Sequence, residues 1–310
     1  MTGAAAERRT PVRVAASKLP ACLGDLSQPP AGLWYLGDPK TLAAAPDRCV
    51  AIVGTRQASP YGDRIATRLA AAAVRAGLVV VSGLARGVDA AAHRAAIEAG
   101  GLTVAVMGPG VDVPYPTGHR TLHELVQQNG VALSEMEPGT KAFKGCFPRR
   151  NRIIAALSRV TIVVEAPFKS GAINTATQAL EMGRTVAAVP GPIDDIRSAG
   201  SNLLIRDGAQ VITCVEDMLS LFDLSTNERM AGVASGSSLS DNVDSSGCGL
   251  SQSDQALLGV LGGSYTPVHE IAYTSGLSVR QVSSTLLRLE LAGLIEAGGG
   301  GYRRRSMGQG

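Results

Sequence analysis

Aromatic side chains, paired cysteines and long apolar runs are all scarce in this sequence of 310 residues. Only 4% of the residues are Phe, Trp or Tyr, whereas 45% are hydrophobic, and this apolar fraction is ample for a buried core. No apolar run approaches the ~18–20 residues of a membrane span, and no secretory signal follows the first ten residues. The five cysteines form no CxxC pair, which indicates reduced thiols and a cytoplasmic protein.

Motifs of common cofactor sites and catalytic sites are missing as well. The chain has no GxxxxGK[ST] loop and no GxSxG elbow, and the loop after its first regular apolar run is not GxGxxG. His119 and His123 share the i, i+4 spacing of metal ligands, but no further carboxylate is placed near them. We therefore expect no catalytic constellation, no cofactor and no metal ion.

Short apolar runs alternate with segments of helical periodicity from residue 49 onward. The predicted strands are 50–53, 78–81, 103–107, 131–136, 160–165 and 185–189, closed by a strand at 210–212. The predicted helices between and after them are 64–76, 90–99, 121–128, 151–157, 175–182 and 215–222. Strands with nearly continuous Val and Ile content are typical of a parallel sheet covered on both faces. The pattern predicts an extended, Rossmann-like α/β fold.

Changes in composition divide the chain into five parts. We expect a loose tail at 1–18, the α/β domain at 19–224, a flexible linker at 225–251, a small domain at 252–303 and a tail at 304–310. The linker contains eight serines and no aromatic residue, too little apolar surface to offset the entropy of ordering. Three helical segments and a two-stranded hairpin in the small domain predict a winged helix-turn-helix.

Ligands of open parallel sheets bind at the carboxyl ends of the strands, so the loops there are the candidate site. Three of these loops combine glycine with a cation or with the start of a helix: 54–62 around Arg56, 82–89 around Arg86, and 167–171 with Ser170 and Gly171. Glycine allows a close approach to backbone N–H groups, and the start of a helix carries partial positive charge. Both features favour an anion.

Residues 141–152 contain five cations and no acid. Three of the cations stand at the predicted start of a helix, where positive charge opposes the helix dipole by roughly 0.3–1 kcal/mol each. A bound polyanion would reverse that sign. Phe143 and Phe147 lie within this basic run, and single-stranded nucleic acid is bound by cations interleaved with aromatic faces. The alternatives are a solvated charged surface and two phenylalanines that belong to the core.

Eight motifs, in this order, resemble the DNA processing protein A family, also called DprA or Smf. They are VAIVGTRQASPYG (50–62), VSGLARGVDAAAH (81–93), MGPGVDVPYP (107–116), SEME (134–137), FPRRNRIIAALS (147–158), VVEAPFKSGAINTA (163–176), 189–191 and 200–202. The resemblance covers about residues 19–222, and the C-terminal part also looks like the family's extension.

The resemblance implies a protein that binds single-stranded DNA without sequence specificity and catalyses no reaction. It further implies a homodimer that protects incoming DNA in natural transformation and loads RecA recombinase onto it. Carried over by motif, Arg56 and Arg86 would contact phosphates, Lys144 and Phe147 phosphate and base, Ser170 and Gly171 would offer donors, and Arg149, Asn151 and Arg152 would shape the pocket. We expect a groove in which Arg56, Arg86, Lys144 and Arg152 neutralise successive phosphates.

The sequence departs from the family pattern in two respects. Thr117 and Gly118 replace basic or acidic-polar residues common after the Tyr-Pro pair, so no phosphate contact is expected there. Many members carry an additional helical domain that 1–18 cannot form.

The Gly-rich loops also resemble nucleotide phosphoribohydrolases, although 169–175 lacks the paired glycines of their PGGxGTxxE loop. A transcription regulator would instead use the helix at 278–292, which carries Arg280, Gln281 and Arg288.

Overall fold

The predicted strands lie side by side in one mixed sheet. The computed structural model describes residues 10–43, 46–224, 252–262, 264–275, 277, 279–298 and 301–305, and within these ranges nine strands form the sheet. In chain order they are β1 (Val12–Ala15), β2 (Gly32–Gly37), β3 (Cys49–Val53), β4 (Val79–Ser82), β5 (Thr103–Met107), β6 (Gly130–Ser134), β7 (Val160–Val163), β8 (Thr185–Ala188) and β9 (Gln210–Val211). Their order across the sheet is β1-β2-β6-β5-β4-β3-β7-β8-β9.

Strands β3 to β9 run parallel, and β2 joins β6 in the antiparallel direction. Seven helices follow these strands: α1 (Pro60–Arg75), α2 (Val88–Glu98), α3 (Arg120–Gln128), α4 (Cys146–Ala156), α5 (Gly171–Glu181), α6 (Ala199–Arg206) and α7 (Val215–Ser220). Helices α4, α5 and α6 pack on one face of the sheet, and α1, α2, α3 and α7 pack on the other. The prediction of a parallel sheet with helices on both faces is confirmed.

The core lies between these layers because the strand residues are apolar on both sides. In β3, Ala51 and Val53 pack under α4 and α5, whereas Val50 and Ile52 pack under α1 and α2. All four are at most 3% exposed. Burial on both faces explains why these strands appear in the sequence as continuous apolar runs rather than as alternating ones.

The N-terminal boundary differs from the prediction of a loose tail at 1–18. Val12–Ala15 forms β1, which pairs antiparallel with β2 and adds an outer strand to the sheet. Four residues are too few to show a periodicity, and the pairing depends on a strand edge that lies twenty residues further along the chain. Residues 1–9 lie outside the described residues.

Helix α4 begins at Cys146, five residues before its predicted start at Asn151. Pro148 occupies the first turn, where a helix tolerates proline because those N–H groups have no partner within the helix. Arg149 and Arg150 therefore lie inside the helix rather than before it.

The chain divides into two compact units, Met1–Ser235 and Gly236–Gly310. The second unit contains α8 (Gln252–Val260), α9 (Val268–Ser275), α10 (Val279–Leu291), β10 (Ile295–Gly298) and β11 (Gly301–Arg304). The three helices enclose a core that includes Leu257, Ile271 and Leu286, and β10 and β11 form an antiparallel hairpin. This arrangement is the predicted winged helix. The predicted linker at 225–251 lies outside the described residues.

Across the described ranges, no helix is both long enough and apolar enough to span a membrane.

Truncating the centre of the sheet tests this core. Leu133 in β6 is fully buried, so Leu133→Ala should lower the free energy of unfolding by about 3 kcal/mol through lost burial and a residual cavity. Urea denaturation followed by the fluorescence of Trp34, the chain's single tryptophan, reports on this unit because Trp34 lies in β2 beside β6. Leu102→Ala is the matched control, since Leu102 is 48% exposed. Equal losses in both variants would contradict the assigned core.

Candidate nucleic-acid interface

A large cleft lies where the order of the strands reverses. From β3 the chain builds outward through β4, β5 and β6 in one direction and through β7, β8 and β9 in the other. The loops that leave β3 and β7 enter helices on opposite faces of the sheet, and this opens a crevice at the carboxyl ends of the strands. The cleft has a volume of about 940 Å³ and is lined by those two loops, the loop after β4 and the first turns of α4.

A buried arginine forms part of the cleft's floor. Arg150, 7% exposed, donates hydrogen bonds to the carbonyl oxygens of Gly83 and Val106, at the ends of β4 and β5. Its Nη2 lies 3.8 Å from a carboxylate oxygen of Asp89, which also accepts from the amides of Gly83 and Ala85 at 3.1 and 3.4 Å. The loop after β4 is thus tied to α4 and to the neighbouring strand.

Burial affects both members of this pair. Removal from water raises the pKa of the Asp89 carboxyl, while Arg150 and the backbone N–H groups oppose the rise. The same removal lowers the pKa of the Arg150 guanidinium, and Asp89 opposes that change. Each group therefore stabilises the charged form of the other, which makes the pair sensitive to loss of either partner.

Two glycines of this loop are required by close approach. The guanidinium of Arg150 lies flat against Gly83, where a Cβ atom would be 2.1 Å from it. Gly87 has φ +74°, and a Cβ there would lie 2.3 Å from the carbonyl oxygen of Thr55. A larger residue at Gly83 would push the loop after β4 away from Arg150, and one at Gly87 would separate the loops after β3 and β4, and with them Arg56 and Arg86.

The loop after β3 is held by Glu165, at the end of β7. Glu165 is 2% exposed and accepts from the backbone N–H of Ser59 at 2.9 Å and from the Ser59 hydroxyl. Its carbonyl oxygen accepts from the N–H of Thr55 at 2.6 Å. Ser59 in turn caps α1 by accepting from the N–H of Gly62 at 3.0 Å. This network fixes the backbone on both sides of Arg56.

Four exposed cations line the cleft: Arg56, Arg86, Lys144 and Lys169. Within the described part of the chain, none of them forms an ion pair with an acid. Lys169 has a left-handed backbone with φ +55°, a conformation that an L residue keeps only where its surroundings require it. The structure therefore brings the predicted Arg56, Arg86 and Lys144 together and adds Lys169.

The structure places Arg149 and Arg152 differently from the predicted groove. Arg149 Nε donates to Glu135 at 2.8 Å, and Arg152 makes two bonds to the same carboxylate at 2.7 and 2.8 Å. Arg152 also donates to the carbonyl oxygen of Gln28 at 2.6 Å. Neither arginine lines the cleft. The structure therefore does not place Arg152 among the cations of the cleft, because Glu135, directly after β6, supplies an acid that the basic run itself lacks.

Phe147 is half-buried under two neighbours. The Arg56 guanidinium carbon lies 5.0 Å from the centre of its ring, and the Tyr115 ring lies 5.2 Å away. A base that stacks on Phe147 would share this surface with Arg56. Phe143, also in the cleft lining, is 51% exposed and offers an open aromatic surface.

The remaining predicted residues form one wall of the cleft. Asn151 is buried and donates to the carbonyl oxygen of Gly171 and to Asn174 Oδ1, both at 3.1 Å. Ser170 is the N-cap of α5, and its hydroxyl accepts from the N–H of Ile173 at 3.4 Å. Gly171 begins the helix, so its N–H is among those without a partner inside the helix.

Sequence reasoning missed the acids that organise this site and two members of its rim. Asp89 and Glu135 both lie in quoted motifs, and for Glu135 the available signal was an acid that shortly precedes the basic run at 141–152. Tyr115 and Lys169 also lay within recognised loops. Their position at the cleft follows from strand order, which the sequence does not state.

The winged unit presents few unpaired cations among its described residues. Arg288 on α10 pairs with Asp254 at 2.9 Å, and Arg303 on β11 pairs with Glu296. The side chains of Arg280 and Gln281 lie outside the part of the chain that the structure describes. The α/β cleft therefore carries the stronger electrostatic signal for an anionic ligand.

A Rossmann-like sheet with a cationic cleft at its strand reversal, joined to a winged helix, defines the class of this protein. Residues 11–223 match the family model described as DNA recombination-mediator protein A, and residues 244–301 match the DprA winged helix domain. The chain belongs to the DNA processing protein A family, DprA/Smf, and its role is that of a DNA-processing recombination mediator.

Individual relatives agree with this assignment. Protein Smf of Escherichia coli is 38% identical over 82% of this chain and 67% of its own length. The structure of DprA from Streptococcus pneumoniae superposes with a TM-score of 0.64 at 38% identity, covering 69% of this chain and 74% of that one. DprA from Helicobacter pylori, whose structure concerns its single-stranded DNA binding mode, gives 0.63 at 32% identity over 69% and 95%.

The buried pair predicts a large cost of truncation. Arg150→Met should lower the free energy of unfolding by about 3–5 kcal/mol, because Asp89 would remain buried without its partner and two strand carbonyls would lose a donor. Adding Asp89→Asn should recover part of that loss. Urea denaturation followed by Trp34 fluorescence measures both effects. Arg149→Met is the control, with at most about 1 kcal/mol expected for an exposed pair; a loss of that size for Arg150→Met would contradict the buried role.

Proposed function

We propose that the chain binds single-stranded DNA without sequence specificity in the cleft at the strand reversal. The observation that carries this proposal is the set of unpaired cations, Arg56, Arg86, Lys144 and Lys169, around a cleft that also exposes Phe143. Flexible cations follow a phosphate backbone regardless of its sequence, and aromatic faces accept every base. The single-stranded DNA binding named for the H. pylori relative supports the same ligand.

The proposed path differs from the groove expected from sequence alone. Arg56, Arg86, Lys144 and Lys169 contact phosphates, and Ser170 and Gly171 add donors at the start of α5. Phe147 contributes aromatic surface together with Arg56. Arg149, Arg152 and Asn151 act indirectly: the first two fix α4 against β6 through Glu135, and Asn151 holds α5 against α4.

The recombination-mediator role indicates what the bound DNA is used for. We propose that the protein, as a homodimer, protects incoming single-stranded DNA during natural transformation and loads RecA onto it, acting as a mediator rather than as an enzyme. Membership of the recombination-mediator family supports this proposal. A site that holds the backbone through loops and flexible side chains leaves much of the strand accessible to a second protein.

Salt dependence tests the binding site. For the unmodified protein, log K for a fluorescent oligonucleotide should fall with log salt by ~0.7 per phosphate neutralised. Arg56→Ala should reduce this slope by about 0.7, and Arg56→Ala with Lys144→Ala by about 1.4, equally for all base compositions. Fluorescence anisotropy over a salt series measures the slopes.

The matched control is Arg75→Ala, because Arg75 ends α1 just before β4 begins, at the opposite edge of the sheet. Its slope should equal that of the unmodified protein. Binding that ignores salt, or a slope that the cleft variants leave unchanged, would overturn the proposed site. Release of free base from AMP would favour the phosphoribohydrolase instead.

RecA loading has its own readout. On DNA coated with single-strand-binding protein, the chain should accelerate DNA-dependent ATP hydrolysis by RecA, since RecA must first reach the strand. Arg56→Ala with Lys144→Ala should lose most of this acceleration, whereas Arg75→Ala should retain it. Acceleration that survives loss of DNA binding in the cleft variant would show that the cleft does not deliver the strand.

A further inference from the structure

We propose that Asn174 donates a hydrogen bond from its Nδ2 to a carbonyl oxygen of a base in the cleft and gives otherwise unspecific binding a preference for thymine over adenine. The inference rests on the proposed single-stranded DNA binding. It names a group that distinguishes bases within that site, whereas the surrounding cations do not.

The orientation of the neighbouring amide is fixed first. Arg150 Nε can only donate, and it lies 3.0 Å from Asn151 Oδ1. The opposite end, Asn151 Nδ2, lies 3.1 Å from the carbonyl oxygen of Gly171, which can only accept. Exchanging the oxygen and nitrogen of Asn151 would place two donors together and two acceptors together. Both contacts therefore require the same orientation.

Asn151 then fixes Asn174. Asn151 Nδ2 also donates to Asn174 Oδ1 at 3.1 Å, so the oxygen of Asn174 faces the buried wall. Its Nδ2 is left on the side of the cleft, which Asn174 lines, and it makes no hydrogen bond to any described residue. An amide in this orientation offers two N–H donors and no acceptor to whatever enters the cleft.

The surroundings of Asn174 favour a base over a phosphate. The cations of the cleft are exposed, whereas Asn174 is half-buried beside the buried Asn151. Ile154 and Ala172, both apolar and at most 5% exposed, line the cleft there as well. A neutral, partly apolar wall suits the flat surface of a base, and the charged mouth suits the backbone.

A pure donor distinguishes the bases by their exocyclic groups. Thymine presents carbonyl oxygens and no amine, whereas adenine presents an N6 amine and no carbonyl. The acceptors of adenine are ring nitrogens, so a donor held at the depth of the exocyclic group pairs with a thymine oxygen and meets the N6 amine of adenine unfavourably. One net hydrogen bond corresponds to about a two- to tenfold difference in affinity.

The test measures the ratio of affinities for oligothymidylate and oligoadenylate of equal length, by anisotropy with the full chain. Asn174→Ala should lower this ratio about two- to tenfold. Asn174→Asp should lower it at least as far, because its second oxygen would present an acceptor to the cleft. The added negative charge repels both strands alike and cancels in the ratio. Gln178→Ala is the control, since Gln178 lies on the same helix and bonds Glu181 at 2.9 Å outside the cleft.

Each outcome has a definite meaning. A ratio unchanged by both Asn174 variants, while the unmodified protein binds DNA, overturns this inference and leaves the proposed function standing. An equal loss for thymine, adenine and abasic strands overturns it in favour of a backbone contact. Failure of the unmodified protein to bind any of the strands overturns the proposed function itself.

Discussion

The guanidinium of Arg150 joins parts of the chain that would otherwise move independently. It bridges the carbonyl ends of β4 and β5, contacts Asp89 at the start of α2 and orients Asn151 on its own helix. Arginine suits this position because it remains charged when buried and offers several donors in one plane. The guanidinium can lie against the loop after β4 only because Gly83 has no side chain, since a Cβ atom there would be 2.1 Å from it.

This arrangement separates cations that support the site from cations available to a ligand. Arg149, Arg150 and Arg152 are all satisfied by acids or carbonyl oxygens, although they stand in the most basic stretch of the sequence. Lys144, in the same stretch, and Arg56, from a distant loop, face the cleft instead. A cluster of cations in the sequence is therefore a poor guide to a positively charged surface, because acids and carbonyl oxygens from other parts of the chain determine which of those cations stay unpaired.

Much of the fold could be predicted, since strands buried on both faces leave continuous apolar runs and helices leave their own period. The sequence pattern did not predict the elements correctly where it was short or ambiguous. Strand β1 has four residues, and Pro148 is compatible with either a turn or the start of a helix. For the site, motifs identified the correct loops. The pairing of Glu135 with Arg152 could not be predicted, because it depends on how the residue after β6 lies relative to α4, and neither residue's type reveals that neighbour.

Dependence on buried neighbours also explains how a site that binds strands of any sequence can contain a group that distinguishes bases. Flexible lysines and arginines at the mouth adapt to any strand, so they contribute affinity and salt dependence but little choice among bases. Discrimination requires a donor whose direction is fixed, and fixing a direction requires buried neighbours with no freedom of their own. The chain of contacts from Arg150 through Asn151 to Asn174 meets that requirement, because each step has one permitted orientation. The interaction that stabilises the loops thus also orients Asn174, the polar side chain that we propose contacts a base.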